Sequence, residues 1–187
     1  SFQYTLTSIG NINADIVNNI FNMDKQILRG EGKVKSILSY DFNTKRILFY
    51  STSDLSGMSI ETIPLWSKEK NKKTDFVLNY QHFPKKSYPL KINLDKNEFE
   101  FKFSENNTYI KIKSPAVRGI LKYPDKQVKE KIFSGSFEYI DTTFFKSNNL
   151  KDYFPAINIQ SKHVKTSSTI FDNVHIIMTP NDEYIEI

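Results

Sequence analysis

The sequence predicts an all-β fold, mainly antiparallel, with one short amphipathic helix. Three observations lead there. First, short runs alternate apolar and polar residues and then break at turn-forming residues, as strands with one apolar and one wet face do. Phe99-Glu100-Phe101-Lys102-Phe103 is the clearest run, with its phenylalanines on one side and Glu100 and Lys102 on the other. Second, aromatic residues make up 14% of the chain, with Phe 15 and Tyr 10. Such side chains suit a pleated, half-buried surface. Third, helical spacing occurs in one place, where Ile12, Ile16, Val17, Ile20, Phe21 and Met23 recur on one side.

The elements follow in order. Residues 2–7 read as a strand. A helix is expected over 12–23, capped by Asn11 or Asn13, packing on the sheet or plugging its end. Gly30 and Gly32 then break the chain. Residues 33–42 and 46–51 form a hairpin across Asp41-Phe42-Asn43-Thr44. Residues 55–64 make a strand interrupted at Gly57. A meander continues through 74–81, 88–95, 98–104 and 108–114, the last two joined across Glu105-Asn106-Asn107. Strands over 117–122, 131–139, 156–161, 169–179 and 183–187 complete it, with a looser stretch between Tyr139 and Pro155. No composition shift marks an internal boundary, so 1–187 reads as a single segment. The first residues lack Met, a basic region and an apolar core, and the chain reads as a piece of something larger.

The chemical inventory is sparse. The net charge is +5 and the isoelectric point near 9.1, with lysines spread along polar strand faces and one loop cluster from Lys68 to Lys73. A nucleic-acid binder concentrates its charge on one face, so nucleic acid is not expected as a partner. There is no cysteine, which excludes disulfides, thiolate metal sites and a cysteine nucleophile. No apolar window is long enough for a membrane-crossing helix. His82, His163 and His175 are the only histidines, and none stands at metal-ligand spacing from another. His175, between Val174 and Ile176, is expected to face solvent. The carboxylates are scattered, and Glu98 and Glu100 share a wet strand face. No nucleophile elbow, phosphate loop or dinucleotide fingerprint is present. No catalytic residue, metal or cofactor is assigned, and the chain is read as a non-enzyme. Trp66 is expected to anchor in a core rather than stack on a ligand.

What remains is the apolar side of the strands. Phe99, Phe101, Phe103, Ile110, Ile112, Phe137, Tyr139, Ile157, Ile159, Val174, Ile176 and Met178 are expected to line it. Taken alone, such a face is most simply a dry core. A closed barrel or sandwich and a long open sheet with an apolar trough both satisfy the strand pattern.

Three phrases carry a resemblance. Ser53-Asp54-Leu55-Ser56-Gly57-Met58-Ser59-Ile60, followed by Ile63-Pro64-Leu65 and Ser67-Lys68, resembles a phrase of the YhdP branch of the AsmA-like proteins. Lys113-Ser114-Pro115-Ala116-Val117-Arg118-Gly119, continuing to Pro124, resembles that branch's strand pair with a Ser-Pro start and a following Gly. Leu150, Pro155, Ala156-Ile157-Asn158-Ile159 and Ile170-Phe171-Asp172-Asn173-Val174 resemble its late strands. The order matches and the phrases span most of the chain from Ser53 onward. The chain departs from the pattern in lacking a second proline near Trp66 and in having no glycine in Ser168-Thr169-Ile170-Phe171, where the family often has a small residue before the strand.

The resemblance implies a segment of a TamB-related, bridge-like protein of the Gram-negative periplasm, anchored in the inner membrane through a region outside this chain. It implies a curved open sheet, a β-taco, whose apolar groove moves phospholipid between inner and outer membrane. The partners it implies are phospholipid acyl chains and, through the full-length protein, the two membranes. Lys111, Lys113 and Lys122 are then expected to meet lipid phosphates at the groove rim. The rival readings are a structural or protein-interaction β module with a closed core and no lipid ligand, and a hydrolase built on scattered acidic residues.

Overall fold

In a computed structural model of the chain, the described residues are 2–21, 28–62, 66–84, 88–104, 107–124, 132–144 and 156–178. They are mostly strand, with almost no helix, and the sheet does not close on itself. The expected strand over 183–187 and the Glu105-Asn106 turn lie outside the described residues. The chain divides into two compact units, Ser1–Lys96 and Asn97–Ile187.

The first unit contains β1 (Gln3–Asn13), α1 (Ala14–Phe21), β2 (Leu28–Asp41), β3 (Arg46–Ser53), β4 (Met58–Thr62), β5 (Trp66–Lys68), β6 (Phe76–His82) and β7 (Leu90–Leu94). Every pairing among them is antiparallel, in the order β7-β6-β3-β2-β1. β2 serves two neighbours on its other edge, β3 over 35–41 and β4 over 28–30. The β2–β3 hairpin forms where expected. The Asp41 carboxylate accepts the backbone N–H groups of Asn43 and Thr44 at 2.9 and 3.1 Å, closing the turn. The bond from Thr44 is the main reason the Asp41 carboxyl titrates below its ordinary range.

The helix is shorter than its apolar periodicity suggests. Ile12 belongs to β1, opposite Gly32, because the β1–β2 ladder continues as far as Asn13 and Glu31. Asn13 is the cap: its side-chain oxygen accepts the N–H of Asp15 at 2.8 Å. Met23 lies outside the described residues. α1 packs on the start of β2, burying Ala14 and Asn18, and the Asn18 amide donates to the Leu28 carbonyl at 2.7 Å. Ala14, Leu28, Leu55 and Met58 form the small buried core of this unit, flanked by Ile12, Ile60, Phe76 and Leu94.

A tight turn over 53–58 seals that core. The Ser53 hydroxyl accepts the Leu55 N–H and the Asp54 carboxylate accepts the Ser56 N–H, each at 2.9 Å. Leu55 and Gly57 both take positive φ, 49° and 89°. The Gly57 carbonyl then receives the Glu31 N–H at 3.3 Å. Lys68, expected in a loop, ends β5 instead and is buried. Its ammonium donates to the carbonyls of Met58 and Glu69 at 2.7 and 3.0 Å, and burial pulls its pKa down. The Trp66 side chain lies outside the described set.

The second unit contains β8 (Asn97–Phe103), β9 (Asn107–Lys113), β10 (Val117–Pro124), β11 (Ile132–Asp141), a 3-10 turn (Thr142–Phe144), β12 (Ala156–Lys165) and β13 (Ile170–Met178). The strands lie in sequence order. One pairing departs from a meander: β11 and β12 run parallel, from Ile132 beside Ala156 to Asp141 beside Lys165. Three turns share one lock, in which a hydroxyl bonds across to the residue three positions later. Ser104 bonds the Asn107 carbonyl at 2.8 Å, Ser114 that of Val117 at 3.1 Å, and Thr166 that of Thr169 at 3.0 Å.

A β-bulge disturbs the middle of this unit. Arg118 lies opposite Tyr139, but the next residue, Gly119, lies opposite Phe137. Glu138 is the extra residue, and it breaks the period-two alternation of β11. The β11–β12 register likewise passes from Phe137 beside Ser161 to Tyr139 beside His163. Asn173 in β13 takes a φ of 54° at the same level.

Beyond the bulge, Asp141 is a buried carboxylate with every partner it needs. It accepts from the Tyr139 hydroxyl at 3.1 Å, the Lys165 ammonium at 2.9 Å and the Thr143 N–H at 3.0 Å, and from the Thr143 hydroxyl. The Thr143 hydroxyl bond leads in holding its pKa far below the ordinary carboxylate value, and the hydrogen bond from the Lys165 ammonium to Asp141 raises the pKa of Lys165. A lowered folded-state pKa means that the stabilisation is fully present above the unfolded carboxylate value and is lost as pH falls. Asp141→Asn is therefore expected to flatten the acid limb of the stability–pH curve measured by urea unfolding. An acid limb as steep in the variant as in the wild type would contradict this.

Candidate functional site

The ladder of the second unit fixes which side chains share a face. Phe99, Phe101 and Phe103 of β8 stand opposite Ile112, Ile110 and Thr108 of β9. Ile112 and Ile110 face Gly119 and Leu121 of β10, which face Phe137 and Gly135 of β11. Gly135 and Phe137 lie beside Ile159 and Ser161 of β12, which meet Ile176 and Val174 of β13. Phe133, Ile157 and Met178 extend the same face. All the residues expected to line an apolar side lie on it except Tyr139.

Tyr139 is a correction, and the bulge is its cause. Strict alternation would align it with Phe137, but the extra residue turns it to the opposite face, beside Arg118 and His163. There the Arg118 guanidinium lies 5.3 Å over its ring. Ile140, opposite Val117, takes its place on the apolar side.

The face is graded from one end to the other. Around the bulge, Ile112, Ala116, Val117, Phe137, Ile140 and Val164 make a buried cluster. Ile112 and Phe137, 8% and 7% exposed, offer little surface to a ligand. Phe99, Ile110, Leu121, Ile159, Val174 and Ile176 are half-buried around them. Phe101, Ile157 and Met178 are also half-buried, and Phe103 is 55% exposed. Among the described residues of this unit, the packing joins neighbouring strands and sets the 3-10 turn on β12.

Two glycines shape the buried end. A Cβ on Gly119 would stand 2.5 Å from the Phe137 ring, and one on Gly135 would stand 2.6 Å from it. The ring therefore lies down over both glycines. Sequence reasoning passed over this, and over Val117, Leu121, Ile140 and Val164, because Ile120 blurs the alternation in Val117-Arg118-Gly119-Ile120-Leu121.

The reverse face carries the charged side chains, interspersed with the exposed Tyr109, Ile120, Ile132 and Ile177. Glu98 pairs with Lys113 at 3.1 Å, and Lys111 stands opposite Glu100. Lys111, Lys113 and Lys122 share this reverse face, so the register does not place them on the apolar side. His163 meets Asp172 at 2.7 Å, and His175, exposed as expected, meets Asn158 at 2.8 Å. These two histidines thus join β12 to β13.

The first unit also carries cross-strand apolar rows. Leu6, Leu38, Phe49 and Tyr80 lie in one cross-strand row, and Leu78 and Ile92 in another on the same face. This face was missing from the expected lining, though Ile47-Leu48-Phe49 and Leu90-Lys91-Ile92 carry its signal. Among the described residues, no group of three or more His, Asp or Glu side chains could hold a metal ion. No described helix is long and apolar enough to cross a membrane. No family model, curated protein or solved structure matches the chain.

Proposed function

We propose that the apolar face of the Asn97–Ile187 unit takes up phospholipid acyl chains. In this reading the chain is a segment of a periplasmic bridge-like protein that moves phospholipid between the inner and outer membranes. One observation carries the proposal: an apolar face graded from a buried cluster to the exposed Phe103, with the charged side chains on the reverse face, in a sheet that does not close. The periplasmic setting rests on the three phrases that resemble the YhdP branch.

The energetics favour such an occupant. An acyl chain gains about 0.8 kcal/mol for each CH₂ it withdraws from water. The more exposed end, with Phe101, Phe103, Ile157 and Met178, is where that gain is available, since the opposite end is already packed. The head group stays in water and needs no fixed cation, consistent with lysines that sit on the reverse face.

A photo-crosslinking amino acid at Phe103 or at Lys102 tests this in cells. The two positions are adjacent, exposed and on opposite faces. Phospholipid adducts are expected at Phe103 and not at Lys102. Equal labelling would refute the lining. Absence of lipid at Phe101, Phe103 and Ile157 alike would favour a β module with no lipid ligand.

A further inference from the structure

The outermost row of the apolar face in the Asn97–Ile187 unit differs from the rows behind it. It runs through Phe103, Thr108, Tyr123, Phe133, Ile157 and Met178, from β8 to β13. Two of these side chains carry hydroxyls, and they stand directly opposite one another, Thr108 on β9 and Tyr123 on β10. Both residues are half-buried. The Tyr123 ring meets Phe133 edge-on, with centroids 4.8 Å apart and planes at 82°. In the two rows behind, which pass through Phe101 and Phe99, the one hydroxyl is that of Ser161. It is buried and donates to the His163 carbonyl at 2.9 Å.

Neither outer hydroxyl meets a hydrogen-bond partner among the described residues. Phe and Val would fill the same space, so what these two side chains add is the capacity to donate. The three rows hold no charged side chain, and Lys111, Lys113 and Lys122 stand on the reverse face. A carboxylate or phosphate drawn onto this face would lose water without gaining a counter-charge. An ester carbonyl carries no charge and needs only a donor.

We infer that Thr108 and Tyr123 donate hydrogen bonds to the ester carbonyls of a diacyl lipid whose tails lie on the apolar face. The inference rests on the lipid reading above and names the linkage which that reading leaves open. It also sets the ligand's direction. The ester end lies at the outer row, the phosphate beyond it in water, and the tails run toward the row of Phe101, Leu121 and Ile159. A free fatty acid has no such fit, because its carboxylate would meet hydroxyls but no cation.

A displacement assay on the full chain tests it. A pyrene-labelled alkane is bound first. It is then released with dioleoyl phosphatidylcholine or with the dialkyl ether analogue, which has the same tails and head group but no ester carbonyl. The ester lipid is expected to release the probe at a concentration roughly 3- to 10-fold lower, the worth of a neutral hydrogen bond. Tyr123→Phe and Thr108→Val keep the side-chain shapes, and each should narrow that ratio. The double variant should bring it to about 1, with the ether lipid's own midpoint unchanged. Phe103→Ala should raise both midpoints and keep the ratio. A wild-type chain that releases the probe to both lipids at the same concentration overturns the inference and leaves lipid uptake standing. So does a ratio that survives in the double variant. If neither lipid releases the probe, lipid uptake itself fails, and the inference with it.

Discussion

Gly57→Ala is expected to lower the stability of the Ser1–Lys96 unit by roughly 2–4 kcal/mol, combining a strained backbone with a forced displacement. Gly57 has a φ of 89°, which L side chains rarely adopt. An added Cβ would also stand 2.3 Å from the Glu31 carbonyl oxygen. That oxygen is backbone and cannot swing aside. The contact is mutual, because a Cβ on Gly30, whose φ is 95°, would stand 2.3 Å from the Gly57 carbonyl oxygen. The bond from the Glu31 N–H to Gly57 depends on this close approach, and the turn holds Leu55 and Met58 in the core. Gly10→Ala is the control, since nothing lies within 4 Å of its Cβ position. The urea midpoint should fall sharply for Gly57→Ala and hardly move for Gly10→Ala. Equal midpoints would mean that the strand-to-strand contact is not as close as described.

Phe137→Ala should cost about 3–5 kcal/mol, the range for removing a buried aromatic ring. The ring is 7% exposed, lies on Gly119 and Gly135, and touches the cluster of Ile112, Val117 and Ile140. Removing it leaves a hollow that a glycine floor cannot fill. Phe103→Ala, on the same face but 55% exposed, should cost less than about 1 kcal/mol. Chemical unfolding of the two variants measures the gradient along the face. A Phe103→Ala loss as large as that of Phe137→Ala would show that the outer end is packed like the inner one.

Most of the strand pattern was legible because each strand carries one apolar side and hairpin turns declare themselves. Asp41-Phe42-Asn43-Thr44 is a turn for a reason visible in its letters, an aspartate able to accept two backbone N–H groups. Asn13 was legible as a cap for the same reason. The length of α1 was not, because Ile12 fits both periodicities and only its pairing with Gly32 decides between them. Nor was the boundary at Lys96, since strands on either side have the same composition. Tyr139 was misplaced because alternation is counted along one strand, whereas a bulge is defined by its neighbour. Of the resembling phrases, Ser53 to Gly57 and Ser114 to Gly119 now have physical reasons: hydroxyl-locked turns, and glycines where a Cβ would collide.

The parallel pairing of β11 and β12 bears on how the second unit carries load. Strands joined as hairpins have their free ends on the same rim, so tension peels their ladder one bond at a time. β11 and β12 run the same way, with Ile132 beside Ala156 and Asp141 beside Lys165. Tension between the start of β11 and the end of β12 therefore acts along the strands, and all the ladder bonds resist it together. The Lys165–Asp141 ion pair at 2.9 Å sits at the far end of that ladder. Among the described pairings, which are otherwise antiparallel, this junction is the one loaded in shear.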